Sequence, residues 1–259
     1  MTERPPREIA WLQENWDRMG RSDPYWAVIT DPARKGGRWD PEEFFATGRA
    51  EVAALLRSVG DRLPGRERAL DFGCGPGRLT QALAEHFDRA DGVDVAPSMI
   101  ELARSLDREL HGDGSRCVYH LNAATDLSRF EDGAFDLAYS NITLQHVKPR
   151  LAARYLAELV RVLRPGGVLV FQLPARRKRE GGLLRRLRRT VKRLAPEALH
   201  RLWRRLTRNP EPLMDMNAVP RHRVESIVQR AGGRVVEAEP DDAPGPGWES
   251  YRYTVVKGG

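Results

Sequence analysis

The stretch 69-ALDFGCGPGRLT-80 decides the fold of this 259-residue chain. Its first residues are apolar and indicate a short buried strand, and its last residues begin a helical pattern. Three glycines, Gly73, Gly75 and Gly77, separate the two, so the backbone can turn sharply and a ligand can approach the main chain closely. The stretch therefore predicts a strand, a ligand-binding turn and a helix in immediate succession.

The alternation of strand and helix continues beyond this stretch. Apolar runs predict strands at 90–95, 116–121, 135–141, 168–173, 234–239 and 250–256. Periodic apolar residues predict helices at 78–87, 97–110, 150–163 and 220–232. Strands and helices that take turns at this spacing form right-handed crossovers around a parallel sheet. We therefore expect an α/β fold with a doubly wound, mostly parallel sheet of seven strands.

The same patterns divide the chain into three parts. Residues 1–66, which are rich in aromatic side chains, are predicted to form an N-terminal helical cap or lid. We expect Phe45, Gly48 and Arg49 of this cap to lie near the ligand. Residues 67–173 and 217–259 carry the sheet, and residues 174–216 form a basic helical insertion after the fifth strand. Trp11 and Trp16 fit either a ligand-facing wall or the core of the cap.

Composition narrows the class of protein. The first thirty residues contain no uninterrupted apolar run, so we expect neither a signal peptide nor a membrane span, and a cytoplasmic location. Only two cysteines are present, Cys74 and Cys117, which excludes a disulfide framework and a zinc ligand cluster. No metal site is predicted.

The positive charge of the chain is concentrated in one segment. Between Arg176 and Arg208 there are 14 Lys or Arg against two acids, Glu180 and Glu197, whereas acidic residues outnumber basic ones in the rest of the chain. A continuous nucleic-acid track is therefore not predicted, and the basic character belongs to the insertion.

The glycine turn departs from a dinucleotide-binding fingerprint. G-x-G-x-x-G counted from Gly73 would need glycine at position 78, which is Arg78. Asp71 would also repel a diphosphate, and suits a ligand with a cationic amino group. Asp94 ends the next strand at the interval where a carboxylate binds ribose hydroxyls. A ribose and a cationic end together describe S-adenosylmethionine, although a plain turn or a dinucleotide site remain alternatives.

Four motifs resemble class I S-adenosylmethionine-dependent methyltransferases of the bacterial small-molecule type: ALDFGCGPGRLT, GVDVAPSMIELAR, DGAFDLAYSNITLQHV and RVLRPGGVLVFQLP, within residues 67–173. The resemblance implies that Asp71 and the backbone of Gly73 and Gly75 hold the amino-acid part of the cofactor, with Cys74 and Gly77 also in the cofactor site. It also implies that Asp94 binds both ribose hydroxyls and that Val95 and Met99 pack on the adenine.

The residues after the third strand depart from the family pattern. The family often has Gly-Asp-Ala there, whereas this chain has Leu121-Asn122-Ala123-Ala124. The amide oxygen of Asn122 can still accept a hydrogen bond from the adenine amine. The resemblance implies that Ala123 supplies the next main-chain amide, which in the family reaches a ring nitrogen of the adenine. Asp126 is the competing candidate, because the alignment can slip by a few residues.

The carboxyl end of the fourth strand provides the candidate catalytic region. Ser140 and Asn141 line it as candidate cofactor-binding residues, and His146 lies within reach as a general base or substrate contact. The alternative for His146 is a structural histidine that bonds to the backbone.

The insertion contains two amphipathic patterns with arginine on the other faces. One has apolar residues at 184, 187, 191 and 194, and the other at 199, 202, 203 and 206. Such helices suit an anionic membrane surface through residues 176–208, a soluble polyanion, or packing on the catalytic domain.

These features together predict an S-adenosylmethionine-dependent methyltransferase that O-methylates a small-molecule or sugar-containing acceptor, which can be lipid-linked. The alternatives are an RNA methyltransferase that uses the insertion, and a cofactor-binding or membrane-tethering module without turnover. The expected location is cytoplasmic, with peripheral contact at the inner membrane surface. The sequence does not indicate an oligomeric state.

Overall fold

One sheet of seven strands organises the described part of the chain. The computed structural model describes residues 6–178 and 214–259. Its strands are β1 Arg68–Phe72, β2 Arg89–Asp94, β3 Cys117–Leu121, β4 Phe135–Ser140, β5 Leu163–Arg177, β6 Gly233–Pro240 and β7 Trp248–Lys257. Their order in the sheet is β3-β2-β1-β4-β5-β7-β6. This order confirms the doubly wound α/β fold.

Seven α-helices accompany the strands within the described residues. They are α1 Arg7–Ser22, α2 Pro24–Val28, α3 Pro41–Val59, α4 Arg78–Ala84, α5 Pro97–His111, α6 Pro149–Arg161 and α7 Arg221–Arg230. A short 3₁₀ helix, Leu144–His146, follows β4. The first three α-helices precede the sheet.

The direction of the strands is mostly parallel. Parallel pairing links β3, β2, β1, β4 and β5, and places Asp71 of β1 opposite Gly92 of β2 and Tyr139 of β4. The last strand, β7, runs antiparallel between β5 and β6. Because β4 and the centre of β5 are covered on both faces, they carry apolar residues at successive positions, as in Leu137-Ala138-Tyr139 and Val168-Leu169-Val170-Phe171.

Two apolar layers cover the two faces of the sheet. Leu70 and Phe72 of β1 belong to one buried cluster, which includes residues of α6 and α7. Ala69 belongs to the other cluster, together with the buried side chains of Leu79 and Leu83 in α4. Successive residues of a strand point to opposite faces, which explains how one short strand contributes to both layers.

The fifth strand is longer than its apolar run indicates. It continues to Arg177, and Arg176 forms an ion pair with Glu249 of β7. The strand therefore extends four residues into the segment 174–216 that the sequence assigns to the insertion. The predicted amphipathic helices of that segment lie outside the described residues. No helix of the described part of the chain is long and apolar enough to span a bilayer.

Candidate functional site

A cavity opens at the carboxyl ends of β1, β2 and β4. About 770 Å³ of space lies between its atoms, with the open solvent at its mouth included. Helices α1 and α2 cover one side of it. Its lining comprises Leu12, Trp16, Ala27, Val28, Phe72, Gly73, Gly75, Val93, Asp94, Val95, Met99, Asn122, Asn141, Ile142, Thr143, His146, Val147 and Tyr155.

The glycine turn uses its own main-chain N–H groups inside the protein. Gly73 and Cys74 both donate to the oxygen of Val93, at 2.8 and 3.0 Å, and Gly77 donates to Cys74 at 3.0 Å. Gly75 donates to the Asp94 carboxylate at 2.9 Å. These four N–H groups are therefore not available to a phosphate. A diphosphate-binding turn, in contrast, presents such donors to its ligand.

Neighbouring side chains require glycine at two positions of this turn. Gly73 and Gly75 have φ angles of 85° and 51°, in the left-handed region. A Cβ atom on Gly73 would overlap the side chain of Thr143, and one on Gly75 would approach Val28 of α2 to 2.9 Å. The turn thus packs closely against both the segment after β4 and the N-terminal cap.

Asp94 is the carboxylate that faces the cavity. Its two oxygens accept from the main-chain N–H of Gly75 and of Ala96, at 2.9 and 2.8 Å. Burial raises the pKa of Asp94 above its usual value, and these main-chain N–H donors oppose that shift. A carboxylate has about four lone-pair positions, so Asp94 can accept further hydrogen bonds from a ligand diol.

Asn122 presents an acceptor at another wall of the cavity. Its amide nitrogen donates to the main-chain oxygen of Asp126 at 3.1 Å, which leaves the amide oxygen for a ligand donor. Asp126 itself does not line the cavity, and its carboxylate lies 3.5 Å from Arg154. Val95 and Met99 line the cavity near Asp94, whereas Ala123 packs against the core.

Four other predicted cofactor residues lie beneath the cavity rather than in its lining. The side chain of Ser140 is fully buried and donates to the main-chain oxygen of Phe72 at 3.0 Å. Asp71 is also buried and accepts from Thr80 at 2.7 Å. Cys74 is buried, and Gly77 lies against the hydroxyl of Tyr119. These residues support the turn from below.

The titration of Asp71 is strongly altered by its position. Burial raises the pKa of this carboxyl from 3.8 to about 7, and the charges of Glu51 and Asp94 add to the increase. The hydrogen bond from Thr80 and the charge of Arg78 act in the opposite direction. The carboxyl therefore changes its protonation state close to neutral pH.

His146 lies in the cavity wall, with both ring nitrogens engaged. Nδ1 lies 2.8 Å from the main-chain oxygen of Asp215, and Nε2 lies 3.2 Å from the amide nitrogen of Gln145. The ring packs edge-on against Trp16 of α1, with 5.0 Å between ring centroids. Burial lowers the pKa of His146 below 6.5, so the ring is neutral at neutral pH.

Several cavity residues come from segments that no motif indicated. Leu12 and Trp16 of α1, Val28 of α2 and Tyr155 of α6 all line the cavity. Their periodic apolar positions are equally typical of core residues, so the sequence holds no signal that separates the two roles. The predicted ligand-facing residues of α3 are absent from the lining, because Gly48 packs tightly against Arg78 of α4 and Arg49 is exposed.

The segment that follows residue 213 also reaches this site. Met214 packs against the buried cluster of Met19, Ala27, Ala96 and Met99, as Trp16 and Val28 also do. Asn217 donates its main-chain N–H to the oxygen of Gln145 at 2.7 Å. The oxygen of Asp215 binds His146, as described above. Residues 214–217 therefore hold the short helix after β4 in place.

Comparison with known proteins matches the part of the chain that contains the glycine turn and most of the cavity lining. Residues 70–171 match the family model described as a methyltransferase domain. Over 126 residues the chain is 36% identical to a malonyl-[acyl-carrier protein] O-methyltransferase of Serratia marcescens. The aligned region covers 46% of each protein. It is 34% identical over 141 residues to a trans-aconitate 2-methyltransferase of Deinococcus radiodurans, which covers 53% of this chain and 50% of that protein. The chain thus spans about half the length of these curated relatives.

Solved structures share the fold as a whole. A magnesium protoporphyrin IX methyltransferase of Synechocystis PCC 6803, solved with bound SAH, superposes with a TM-score of 0.61. The match covers 96% of this chain and 99% of that one, at 17% sequence identity. At this identity the likeness concerns the fold, and function has to be argued from the site.

Proposed function

Because the chain belongs, through residues 70–171, to the class I S-adenosylmethionine-dependent methyltransferases, we propose that it transfers a methyl group from S-adenosylmethionine to an oxygen of a small-molecule acceptor. Sugar-containing and lipid-linked molecules are within the proposed acceptor class. The curated relatives named above include an O-methyltransferase, which supports oxygen as the receiving atom.

The hydrogen bonding of the glycine turn is the observation that carries this proposal. Its N–H groups at Gly73, Cys74, Gly75 and Gly77 are all used within the protein, so a phosphate would find no donors there. The cavity instead presents acceptors, among them the Asp94 carboxylate. A ligand that combines a ribose diol with a cationic end, and has no diphosphate, fits this arrangement.

The remaining lining fits the other parts of the cofactor. Asn122 offers an amide oxygen for an exocyclic amine, and Val95 and Met99 offer apolar surface for a purine. Asp94 would hold the ribose. Asp71 lies beneath the turn, where its negative charge favours a nearby cation without direct contact.

The chemistry of the transfer makes modest demands on the protein. The cofactor supplies a methyl group that is already activated on a sulfonium. The chain's own residues then have to align the acceptor oxygen and exclude water. Leu12 and Trp16 of α1 and Val28 of α2 cover the cavity, and so are placed to exclude water and to contact an apolar part of the acceptor.

The role of His146 follows from its contacts. Its Nε2 is the acceptor nitrogen, but the amide of Gln145 occupies it at 3.2 Å. We propose that His146 forms the cavity wall and meets an acceptor hydroxyl only when that amide moves away. If it acts as a base, His146→Ala lowers turnover far more than cofactor affinity, because a base acts on the acceptor and not on the cofactor.

Two measurements test the function. Calorimetry with S-adenosylmethionine and S-adenosylhomocysteine should show saturable binding, and its absence at millimolar cofactor would refute an enzyme of this type. Methyl incorporation from labelled cofactor into fractionated small-molecule extracts should then identify the acceptor. Incorporation into RNA alone would establish the RNA methyltransferase instead, and cofactor binding without any incorporation would favour the tethering module.

The basic segment adds a second element to the proposal. We propose that residues 176–208 contact an anionic membrane surface and thereby place the enzyme at the inner face of the membrane. The concentration of 14 basic residues within this segment supports a surface contact of this kind. Most of the segment lies outside the described residues, so the proposal depends on its sequence.

A further inference from the structure

A carboxylate from the N-terminal cap contacts a cavity residue from below. Glu51 of α3 accepts a hydrogen bond from the side-chain amide nitrogen of Asn141, at 2.7 Å. Asn141 directly follows β4 and lines the cavity, whereas Glu51 does not. Glu51 can therefore influence a ligand only through Asn141 or another intermediary.

The surroundings of Glu51 keep it ionised. Its Oε2 accepts from Arg78 at 2.8 Å, and its Oε1 also accepts from the hydroxyl of Tyr139 at 2.8 Å. Although burial acts to raise its pKa, the charge and hydrogen bond of Arg78, with the bonds from Tyr139 and Asn141, hold the pKa below its usual value. An ionised carboxylate only accepts hydrogen bonds. The amide of Asn141 must therefore turn its nitrogen toward Glu51.

This orientation leaves one acceptor of Asn141 unused. The amide oxygen, Oδ1, is buried and has no hydrogen-bond partner among the described residues. Buried polar atoms without a partner are uncommon in native proteins, and beside a ligand cavity a donor on the ligand is one way to satisfy them. The amide oxygen of Asn141 can therefore accept a hydrogen bond from a ligand donor at the cavity end beside the glycine turn.

The charges around this end of the cavity favour a cationic donor. Asp71 lies close enough to Glu51 and Asp94 for their charges to raise its pKa, after the larger effect of its own burial. Arg78 is the positive group of this cluster, and its Nη2 is bonded to Glu51. An uncharged ligand hydroxyl would gain little from the remaining negative charge, whereas an ammonium group would gain from it.

We infer that Glu51 is a positioning residue, which fixes Asn141 so that its amide oxygen accepts from the primary ammonium group of the cofactor's amino-acid part. The inference rests on the proposed function, because it assumes that the cavity holds this cofactor. It goes further in assigning one specific hydrogen bond, and a residue of the cap that maintains it.

Two ligands that differ in the amino-acid part test the inference. S-adenosylhomocysteine carries the ammonium group, and 5′-methylthioadenosine lacks the whole amino-acid part but keeps the ribose and adenine. Glu51→Gln and Asn141→Leu should each weaken binding of S-adenosylhomocysteine by about tenfold or more, as for a lost hydrogen bond to a charged group. Neither should change the affinity for 5′-methylthioadenosine by more than about twofold.

The double variant tests whether Glu51 acts through Asn141. Glu51→Gln combined with Asn141→Leu should bind S-adenosylhomocysteine no more weakly than Asn141→Leu alone. The leucine variant already lacks the amide that Glu51 positions, so the loss of Glu51 has no further effect. Asp136→Asn is the matched control. Asp136 is a buried carboxylate at the opposite end of β4 and pairs with Arg164 at 2.9 Å, so this variant should leave both affinities unchanged.

Each outcome is decisive. Equal weakening of the two ligands, unchanged binding of S-adenosylhomocysteine, or additive effects in the double variant would overturn the inference. If Glu51→Gln does not fold, the affinities of Asn141→Leu for S-adenosylhomocysteine and 5′-methylthioadenosine decide whether the ammonium contact exists. The affinities of Glu51→Asp for the same two ligands then decide the positioning role. A parent protein that binds neither ligand would refute the proposed function itself.

Discussion

The Nδ1 atom of His146 lies 2.8 Å from the main-chain oxygen of Asp215, a residue 69 positions further along the chain. A carbonyl oxygen can only accept, so Nδ1 carries the proton and Nε2 is the acceptor of the neutral ring. The contact joins the short helix after β4 to residues 214–217, which lead out of the basic segment. The state of the histidine is thus set by a distant part of the chain.

This contact leads to a prediction about pH. Burial lowers the pKa of His146 below 6.5 in the folded protein, so the unfolded chain binds a proton at this residue more readily. The free energy of unfolding should therefore decrease as the pH falls below about 6.5. Below the pKa of His146 in the folded protein, the decrease is complete. His146→Leu should lack this contribution. Urea midpoints between pH 5 and 8 measure it, and identical pH slopes in parent and variant would contradict the prediction.

The sequence predicted the elements of the sheet better than the walls of the cavity. Strands such as β1 and β4 are buried on both faces, so their apolar runs stand out locally. Trp16 and Asp215 meet His146 only after distant segments pack together, and neither has a local pattern that distinguishes this role. The end of β5 was missed for a related reason, because Arg176 and Arg177 are exposed and interrupt the apolar run.

Asp94 should contribute strongly to cofactor affinity. Asp94→Ala removes the carboxylate that faces the cavity and leaves the N–H groups of Gly75 and Ala96 without their partner. Binding of S-adenosylhomocysteine should weaken by roughly 1–3 kcal/mol, the usual cost of unpaired buried polar groups. Calorimetry measures the difference, with Asp136→Asn as a control for general destabilisation. An affinity equal to that of the parent would argue against the ribose role.

The raised pKa of Asp71 predicts a stability that falls with rising pH. The folded protein favours the protonated carboxyl up to a pKa of about 7, whereas the usual value is 3.8. This contribution to the free energy of unfolding is fully present below pH 3.8 and is lost as the pH rises through about 7. Asp71→Asn should be more stable than the parent at pH 8, with a difference that shrinks toward pH 4. Urea unfolding of both proteins across this range tests the prediction.

The same substitution separates a structural role of Asp71 from a cofactor role. A cationic ligand above the turn would favour the ionised carboxylate, so affinity of the parent for S-adenosylhomocysteine should rise as the pH increases through about 7. The affinity of Asp71→Asn should lack this rise. If both proteins show the same pH dependence of binding, Asp71 only supports the turn.

The basic segment should give the protein affinity for anionic vesicles. Each arginine near such a surface contributes on the order of 1 kcal/mol, and salt screens this attraction. Cosedimentation at low salt should show binding to anionic vesicles and none to neutral ones. Binding that persists at high salt would indicate insertion of apolar residues, including Trp203, and binding lost in salt would indicate a peripheral contact. Absence of binding at low salt would contradict a membrane contact.

Ile142 holds a backbone conformation that a β-branched residue rarely adopts. Its φ angle is 55°, and among the described residues no other residue besides glycine has a positive φ. The left-handed region costs a residue with a Cβ atom about 1–2 kcal/mol. Ile142 lies in the cavity lining between Asn141 and Thr143, which is where stored backbone strain tends to serve ligand binding.

This strain predicts an unusual order of stability for two substitutions. Ile142→Gly should be more stable than Ile142→Ala by about 1 kcal/mol, because both remove the side chain beyond Cβ but only glycine also removes the Cβ atom that causes the strain. Leu110 is the matched control, since it is an exposed residue near the end of helix α5. There the order should reverse, with the alanine variant the more stable by up to about 1 kcal/mol. Urea unfolding of the four variants measures both differences, and an alanine variant more stable than glycine at position 142 would show that the turn is not strained.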